Sequence, residues 1–194
     1  MKKTLALFCI FLVLFSFSAC SNSHRLTNMA IVQAVGIDEE NGVIKVSLQY
    51  LVINKGTGTN EGINGNITGV TAGKGYTIAD AVKNVEKVIA ESLFFGQNKL
   101  IVLGKNVDIA SRELLSFLSD GNTVRPDVYI IRSKGNAEEI INNKQQGKRV
   151  PAENICKQLK RDNLCFTVND FLNTEKKNDL PLIEAVNDYT VFRK

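Results

Sequence analysis

Apolar, mostly β-branched residues dominate two neighbouring segments, residues 30–38 and 43–53. In the second segment polar and apolar positions alternate, which is the period of a strand with one buried face. The pair Asn41-Gly42 separates the segments and can supply the positive φ angles of a tight hairpin turn. The pattern therefore predicts two antiparallel strands.

A helical period begins at Thr77, whose hydroxyl can cap the first turn with Asp80 three residues later. Gly96 is predicted to end this helix. Its apolar stripe would consist of Ile78, Ala81, Val82, Val85, Val88, Ile89 and Leu93.

Two continuous apolar runs, residues 100–103 and 128–131, are typical of central strands that are covered on both faces. Between them a second helix is predicted, capped by Asp108 and stopped at Gly121. This order of strand, helix and strand predicts a right-handed crossover and a parallel pair. The inward residues of the helix would be Ala110, Leu114, Phe117 and Leu118.

Three shorter helices are predicted after the second run. Asn136 caps the first, which continues through Ala137, Ile140 and Ile141, and residues 152–160 and 168–172 form the others before a polar run at 173–179. The fold class is α/β, with a mixed sheet, an N-terminal antiparallel hairpin, a parallel strand–helix–strand unit and helices packed on the sheet.

Residues 54–76 interrupt the pattern with seven glycines and four asparagines, and we expect a long loop there. Residues 69–75 lie between a strand and a helix, as a phosphate-binding loop does. That motif needs four residues between its glycines and Ser or Thr after the lysine, whereas this segment has three residues and a glycine. A solvated loop is therefore the prediction.

The composition is that of a globular protein, because 44% of the 194 residues are apolar and 23% are charged. One segment, residues 5–17, is apolar enough to enter a bilayer, but its 13 residues fall short of the roughly 20 that span one. Removing Lys2 and Lys3 with a presequence lowers the formal net charge from +4 to +2, which gives no indication of nucleic-acid binding.

The first twenty residues have the layout of a secretory signal, with a basic start, an apolar stretch and small residues before Cys20. Their ending resembles the bacterial lipobox, in which such a cysteine receives a lipid and becomes the mature N-terminus. The alternative is an ordinary secretory peptide with a chance cysteine. We expect residues 1–19 to be a lipoprotein signal peptide, 20–28 a lipidated tether and 29–194 the globular domain.

Cys156 and Cys165 remain after Cys9 leaves with the presequence and Cys20 takes the lipid. A disulfide between them would close a short loop and stabilise the fold by about 3 kcal/mol. Free thiols are the alternative, since nothing else in the sequence suggests a disulfide framework. No cysteine or histidine spacing predicts a metal site, and no cofactor is predicted.

No group of residues predicts an enzyme. His24, the single histidine, belongs to the predicted tether, and the pairs Glu39-Glu40 and Glu138-Glu139 are expected on a turn and a helix surface. The basic residues Lys144, Lys148 and Arg149 are expected at a solvated helix end, with anionic lipid or an acidic partner as the alternative.

Several segments together resemble the Ger(x)C family of spore-germination lipoproteins, the C subunits of nutrient germinant receptors. The segments are residues 29–38, which end in Gly36-Ile37-Asp38, residues 45–51, 81–95 and 97–104, the arginine-containing stretch 124–131, and residues 135–140. Family members carry a Trp-Asp-type pair after the lipidated cysteine and continue for roughly twice this length. This chain has no Trp, and it corresponds to the family's N-terminal domain.

The resemblance implies a non-enzymatic, lipid-anchored subunit on the outer face of the spore inner membrane, which assembles with integral-membrane receptor subunits. The alternative is a solute-binding or envelope-adhesion lipoprotein with a ligand site under residues 54–76. Such a site would need a concave pocket with convergent polar groups.

Overall fold

A computed structural model describes residues 29–51, 68–89, 91–143, 151–175, 177–186 and 189–193. Within these ranges the strands are β1 (Met29–Glu40), β2 (Val43–Leu51), β3 (Thr68–Gly75), β4 (Ser92–Phe94), β5 (Leu100–Leu103), β6 (Tyr129–Ser133), β7 (Leu182–Val186) and β8 (Tyr189–Arg193). The α-helices are α1 (Ile78–Ile89), α2 (Arg112–Ser119), α3 (Ala137–Asn142), α4 (Pro151–Arg161) and α5 (Val168–Asn173), and Phe95–Gln97 and Lys177–Asp179 form 3₁₀ turns.

The described strands form one mixed sheet in the order β3-β2-β1-β5-β6-β7-β8, and β4 pairs with β1 beside this path. The predicted hairpin is confirmed, with β1 antiparallel to β2 and positive φ angles of 52° at Asn41 and 75° at Gly42. The predicted parallel pair is confirmed as β5 and β6, and β5 is also parallel to β1. The α/β fold class with a mixed sheet is therefore correct.

Both faces of the sheet are covered, and β5 shows why its sequence is apolar throughout. Ile101 and Leu103 join the core under α1, α2 and α5, whereas Leu100 and Val102 join the core under α3 and α4. All four side chains are fully buried. A strand that contacts helices on both sides has no face left for polar residues.

The end of the first predicted helix is wrong. Thr77 does cap α1, since its hydroxyl oxygen accepts the Asp80 N–H at 3.0 Å, but the helix ends at Ile89 rather than at Gly96. Leu93, predicted on its apolar stripe, lies in β4. This short strand pairs parallel with the start of β1, so sheet pairing replaces the last helical turn.

The second helix begins later than predicted. Ser111, not Asp108, caps α2 by accepting the Leu114 N–H, and Asp108 accepts the Ala110 N–H at 2.9 Å in the turn before it. Ala110 is consequently exposed rather than inward. Aspartate stabilises turns as readily as helix ends, so the residue type alone did not distinguish the two positions.

The predicted glycine-rich loop is wrong over residues 68–75, which form β3 at the edge of the sheet, and residues 52–67 lie outside the described ranges. Helix α1 packs directly on the β3 backbone. A Cβ atom at Gly73 would collide with the Ala81 carbonyl, and one at Gly75 would lie 2.6 Å from the Ala81 nitrogen. The glycines thus permit close packing of a helix on a strand, and they erase the alternation that would have revealed the strand.

Candidate functional site

One end of helix α3 is held by Asp38, which lies in β1 one residue after the part of that strand that pairs with β5. Its two carboxylate oxygens accept the Ala137 N–H at 2.6 Å and the Glu138 N–H at 3.0 Å. Asn136 stands at the cap position, as predicted, but its side chain makes no capping hydrogen bond. Helix α3 is therefore capped from the sheet, by a residue about a hundred positions away in sequence.

The other end of α3 is held by Gln49 of β2, whose side chain is buried. Its amide nitrogen donates to the Ile141 carbonyl at 3.2 Å, and its amide oxygen accepts the Ala152 N–H at 3.1 Å. The same side chain thus binds the last turn of α3 and the first turn of α4. We call Asp38, Gln49 and the α3 backbone they bind the α3 clamp.

Two glycines allow α3 and the sheet to approach this closely. A Cβ atom at Gly36 would lie 2.9 Å from the Ile141 side chain and 3.2 Å from the Ala137 side chain. One at Gly104, just after β5, would collide with the Asp38 carboxylate. The Gly104 N–H also donates to the Ile37 carbonyl at 2.8 Å. The Gly36-Ile37-Asp38 segment, the end of β5 and the start of α3 therefore meet at one point.

The charged groups at the clamp have partners within the chain. Burial raises the pKa of the Asp38 carboxyl above its ordinary value, and the nearby Glu138 carboxylate acts in the same direction. The two backbone N–H donors and Lys45 oppose this effect. Lys45 also pairs with Glu138, with Nζ and Oε2 2.5 Å apart. In open α/β sheets the carboxyl ends of the strands are the usual place for a ligand, and here the chain's own carboxylate occupies it.

A second region lies at the opposite, amino ends of β5 and β6, where Lys99 and Tyr129 stand. A cleft of about 310 Å³ opens there under α4. It contains four cationic and two acidic side chains besides a phenol and a thiol. We call it the basic cleft, and its lining residues are Lys99, Arg125, Asp127, Tyr129, Glu153, Cys156, Lys157 and Lys160.

Both cysteines that the sequence left as alternatives are free thiols in this structure, with Cys156 buried and Cys165 exposed. Burial raises the pKa of the Cys156 thiol to about 11, although the Lys99 and Lys160 ammonium groups favour its ionised form. Burial, followed by the neighbouring Cys165 thiol, raises the pKa of the Tyr129 hydroxyl. The disulfide between Cys156 and Cys165 stays a prediction.

The other residues that the sequence singled out lie either outside the described ranges or among the acidic pairs of β1 and α3. Cys20, His24 and the basic residues 144–149 lie outside the described ranges, as does most of the loop proposed to cover a ligand. Glu139 is exposed on the surface of α3, as expected, whereas Glu39 and Glu40 are the last residues of β1 rather than part of the turn, with Glu40 exposed. In the described part of the chain, no cluster of acidic, His or Cys side chains could hold a metal ion, and no helix has the length and apolarity to cross a bilayer.

The reasoning from sequence missed both Gln49 and the basic cleft. A glutamine inside a strand gives no sign that it is buried, and the cleft residues are spread from position 99 to position 160. For Asp38 the sequence indicated only that it belongs to the family-like segment Gly36-Ile37-Asp38. An acidic residue at the end of the apolar part of a strand, two residues after a glycine, was the available signal for a capping role.

The fold and the α3 clamp define an α/β domain in which two of the segments that resemble the family hold helix α3 against the sheet. Residues 22–184 match the family described as "Spore germination protein N-terminal domain", and the chain belongs to that family. This confirms the resemblance seen in the sequence.

Two curated relatives, both from Bacillus subtilis (strain 168), agree with the family. The chain is 25% identical to spore germination protein KC, over 72% of this chain and 36% of the relative. It is 23% identical to spore germination protein A3, over 80% of this chain and 42% of the relative. The chain thus spans less than half the length of these relatives, and no solved structure matches it. The relatives' names support a role in spore germination.

Proposed function

We propose that this protein is a non-enzymatic, lipid-anchored subunit of a spore nutrient germinant receptor, on the extracytoplasmic face of the spore inner membrane. Cys20 carries the lipid, and the α/β domain docks to the receptor's integral-membrane subunits. The observation that carries the proposal is the family match over residues 22–184, which begins two residues after Cys20.

The α3 clamp supports docking rather than catalysis. Two of the segments that resemble the family, Gly36-Ile37-Asp38 and residues 135–140, contact each other, and the part-buried oxygens of Asp38 accept two N–H groups of α3. Buried polar groups that find their partners inside a domain make it rigid. A rigid body with a fixed surface is suited to binding a partner, because little conformational freedom is lost on binding.

The lipid would add to binding without any new contact. A single acyl chain gives marginal membrane attachment, whereas several hold a protein firmly. Confinement at the membrane raises the effective concentration of the domain near integral-membrane partners. The tether, residues 20–28, would allow the domain to reach them.

The anchor is tested by Cys20→Ala, with Cys9→Ala in the presequence as the matched control. We expect Cys20→Ala to move the protein from the membrane fraction to the soluble fraction, and Cys9→Ala to leave it on the membrane. Intact-mass spectrometry of the wild-type protein should show cleavage before Cys20 and the added acyl mass. Membrane retention of Cys20→Ala would refute lipid anchoring.

The receptor role is tested by deleting the gene in spores. We expect nutrient-triggered germination to be impaired, while direct treatment with calcium dipicolinate still germinates the spores. The second response is the control, because it reports on the spore's ability to germinate at all. Equal loss of both responses would count against a role in the receptor.

A further inference from the structure

Two cationic side chains of the basic cleft lack a carboxylate partner in the part of the chain that the structure describes. Each guanidinium nitrogen of Arg125 already donates within the chain: Nε and Nη2 donate to Asp127 at 3.0 and 3.2 Å, and Nη1 donates to the Gly96 carbonyl at 2.7 Å. Lys157 lies 3.6 Å from Glu153. Within the described ranges, Lys99 and Lys160 have no carboxylate at ion-pair distance.

These two ammonium groups face the same small region. Both line the cleft beside the Cys156 thiol, whose ionised form they favour and the Glu153 carboxylate disfavours. The Lys160 nitrogen is 5.9 Å from the centre of the Tyr129 ring. The cleft therefore places two ammonium groups without carboxylate partners among the described residues beside the Tyr129 ring and the buried Cys156 thiol.

We propose that the basic cleft binds a small phosphate monoester, with its phosphate between Lys99 and Lys160 and its organic part against Tyr129. A phosphate monoester carries a charge of about −1.5 to −2 at pH 7, which two ammonium groups can neutralise. Lysine binds phosphate as a point charge, whereas planar carboxylates are best bound by a free guanidinium fork, and the Nε–Nη2 fork of Arg125 is already occupied by Asp127.

The size of the cleft sets the size of the ligand. Its volume of about 310 Å³ lies at the lower end of the range of about 300–1,000 Å³ for small-molecule sites, so a compact ligand is expected. The phosphate could belong to a soluble metabolite or to a lipid headgroup. Both present the same chemistry to Lys99 and Lys160, so the experiment has to separate them.

The test uses the full chain in vesicles of phosphatidylcholine, titrated with glycerol 3-phosphate by calorimetry. We expect saturable 1:1 binding that weakens at least about tenfold in the double variant Lys99→Gln/Lys160→Gln, since tenfold is only about 1.4 kcal/mol. The double variant Lys83→Gln/Lys87→Gln, which removes the same charge from the exposed face of α1, should leave binding unchanged. The double variant Lys99→Arg/Lys160→Arg should retain it and exclude a folding defect.

A parallel titration in vesicles that also contain phosphatidic acid distinguishes the two sources. Loss of glycerol 3-phosphate binding there, but not with phosphatidylglycerol, would assign the cleft to a lipid phosphate monoester. Unchanged binding would assign it to a soluble one. No saturable binding in phosphatidylcholine, equal binding by the Gln double variant, or equal competition by both lipids would overturn the proposal.

Discussion

The charged side chains at the two ends of the central parallel strands differ in whether they have partners. At the carboxyl ends, the Asp38 carboxylate accepts two N–H groups of α3, and Lys45 pairs with Glu138. At the amino ends, Lys99 and Lys160 have no carboxylate partner among the described residues. The charged groups named at the carboxyl ends are paired within the chain, whereas the two lysines at the amino ends are the groups that we propose bind a phosphate.

This difference separates the residues of the α3 clamp, which maintain the fold, from the residues of the basic cleft, which we propose bind a ligand. The segments that resemble the family contribute to both regions, since Asp38 and Gln49 belong to the α3 clamp while Lys99 and Tyr129 line the basic cleft. A change at the clamp would disturb the packing of the helix on the sheet. The basic cleft is built mainly from side chains on the surface of α4 and around the ends of β5 and β6. Substitutions should therefore affect stability at the clamp and binding at the cleft.

The largest effect on stability is expected for Asp38→Ala. It leaves two part-buried N–H groups of α3 without acceptors, which should lower the free energy of unfolding by about 2–4 kcal/mol. Asp127→Ala in the basic cleft is the matched control, because it removes one partner of an exposed ion pair, worth about 0–1 kcal/mol. Urea unfolding measures both, and equal losses would contradict the contrast between the two regions.

A somewhat smaller loss, about 1–3 kcal/mol, is expected for Gln49→Leu. The apolar side chain would leave the Ile141 carbonyl and the Ala152 N–H without their partner. Gln97→Leu, at an exposed position in a 3₁₀ turn, makes the same chemical change without burying anything. If both variants unfold at the same urea concentration as the wild type, Gln49 does not hold α3 and α4 together.

A smaller, pH-dependent effect should come from Asp38 itself. Its folded pKa is raised above 3.8, so between 3.8 and that higher value the native state binds more protons than the unfolded state. Stability should then fall as pH rises through this window. The difference in unfolding free energy between wild type and Asp38→Asn isolates this contribution, and it should shrink with rising pH. A difference that grows with pH would mean that the N–H donors outweigh burial.

The smallest structural disturbance is expected from alkylation of the two free thiols, Cys156 in the basic cleft and Cys165 outside its lining. Cys165 is exposed, while Cys156 is buried and its pKa is raised to about 11. Since the thiolate is the reactive form, iodoacetamide at neutral pH should modify Cys165 at least about tenfold faster than Cys156. Peptide mass spectrometry separates the two sites. Protection of both thiols until a reductant is added would establish the disulfide instead.

The sequence was sufficient for those elements that depend on local periodicity. The hairpin followed from Asn41-Gly42, β5 from its unbroken apolar run, and α1 from its stripe and the Thr77 cap. It failed where contacts distant in sequence decide the structure. The β3 strand contains glycine because α1 packs on its backbone, and that packing partner cannot be read from the segment itself.

The candidate sites show the same limit. Asp38 caps a helix that begins at residue 137, and Gln49 bridges two helices that are separate in sequence. The cleft residues become neighbours only when α4 packs against β5 and β6. Residue type indicated which groups were polar, but the topology of the sheet decided which of them met.

Recovery of the protein from spore membranes tests the central claim most directly. Wild-type and Cys20→Ala proteins carrying the same affinity tag would be purified after mild detergent extraction, and the proteins that accompany them identified by mass spectrometry. The account predicts that wild-type protein is acylated at Cys20 and brings down multi-span receptor subunits in a fixed ratio. Acylated, correctly folded protein that is recovered without any integral-membrane partner would contradict it.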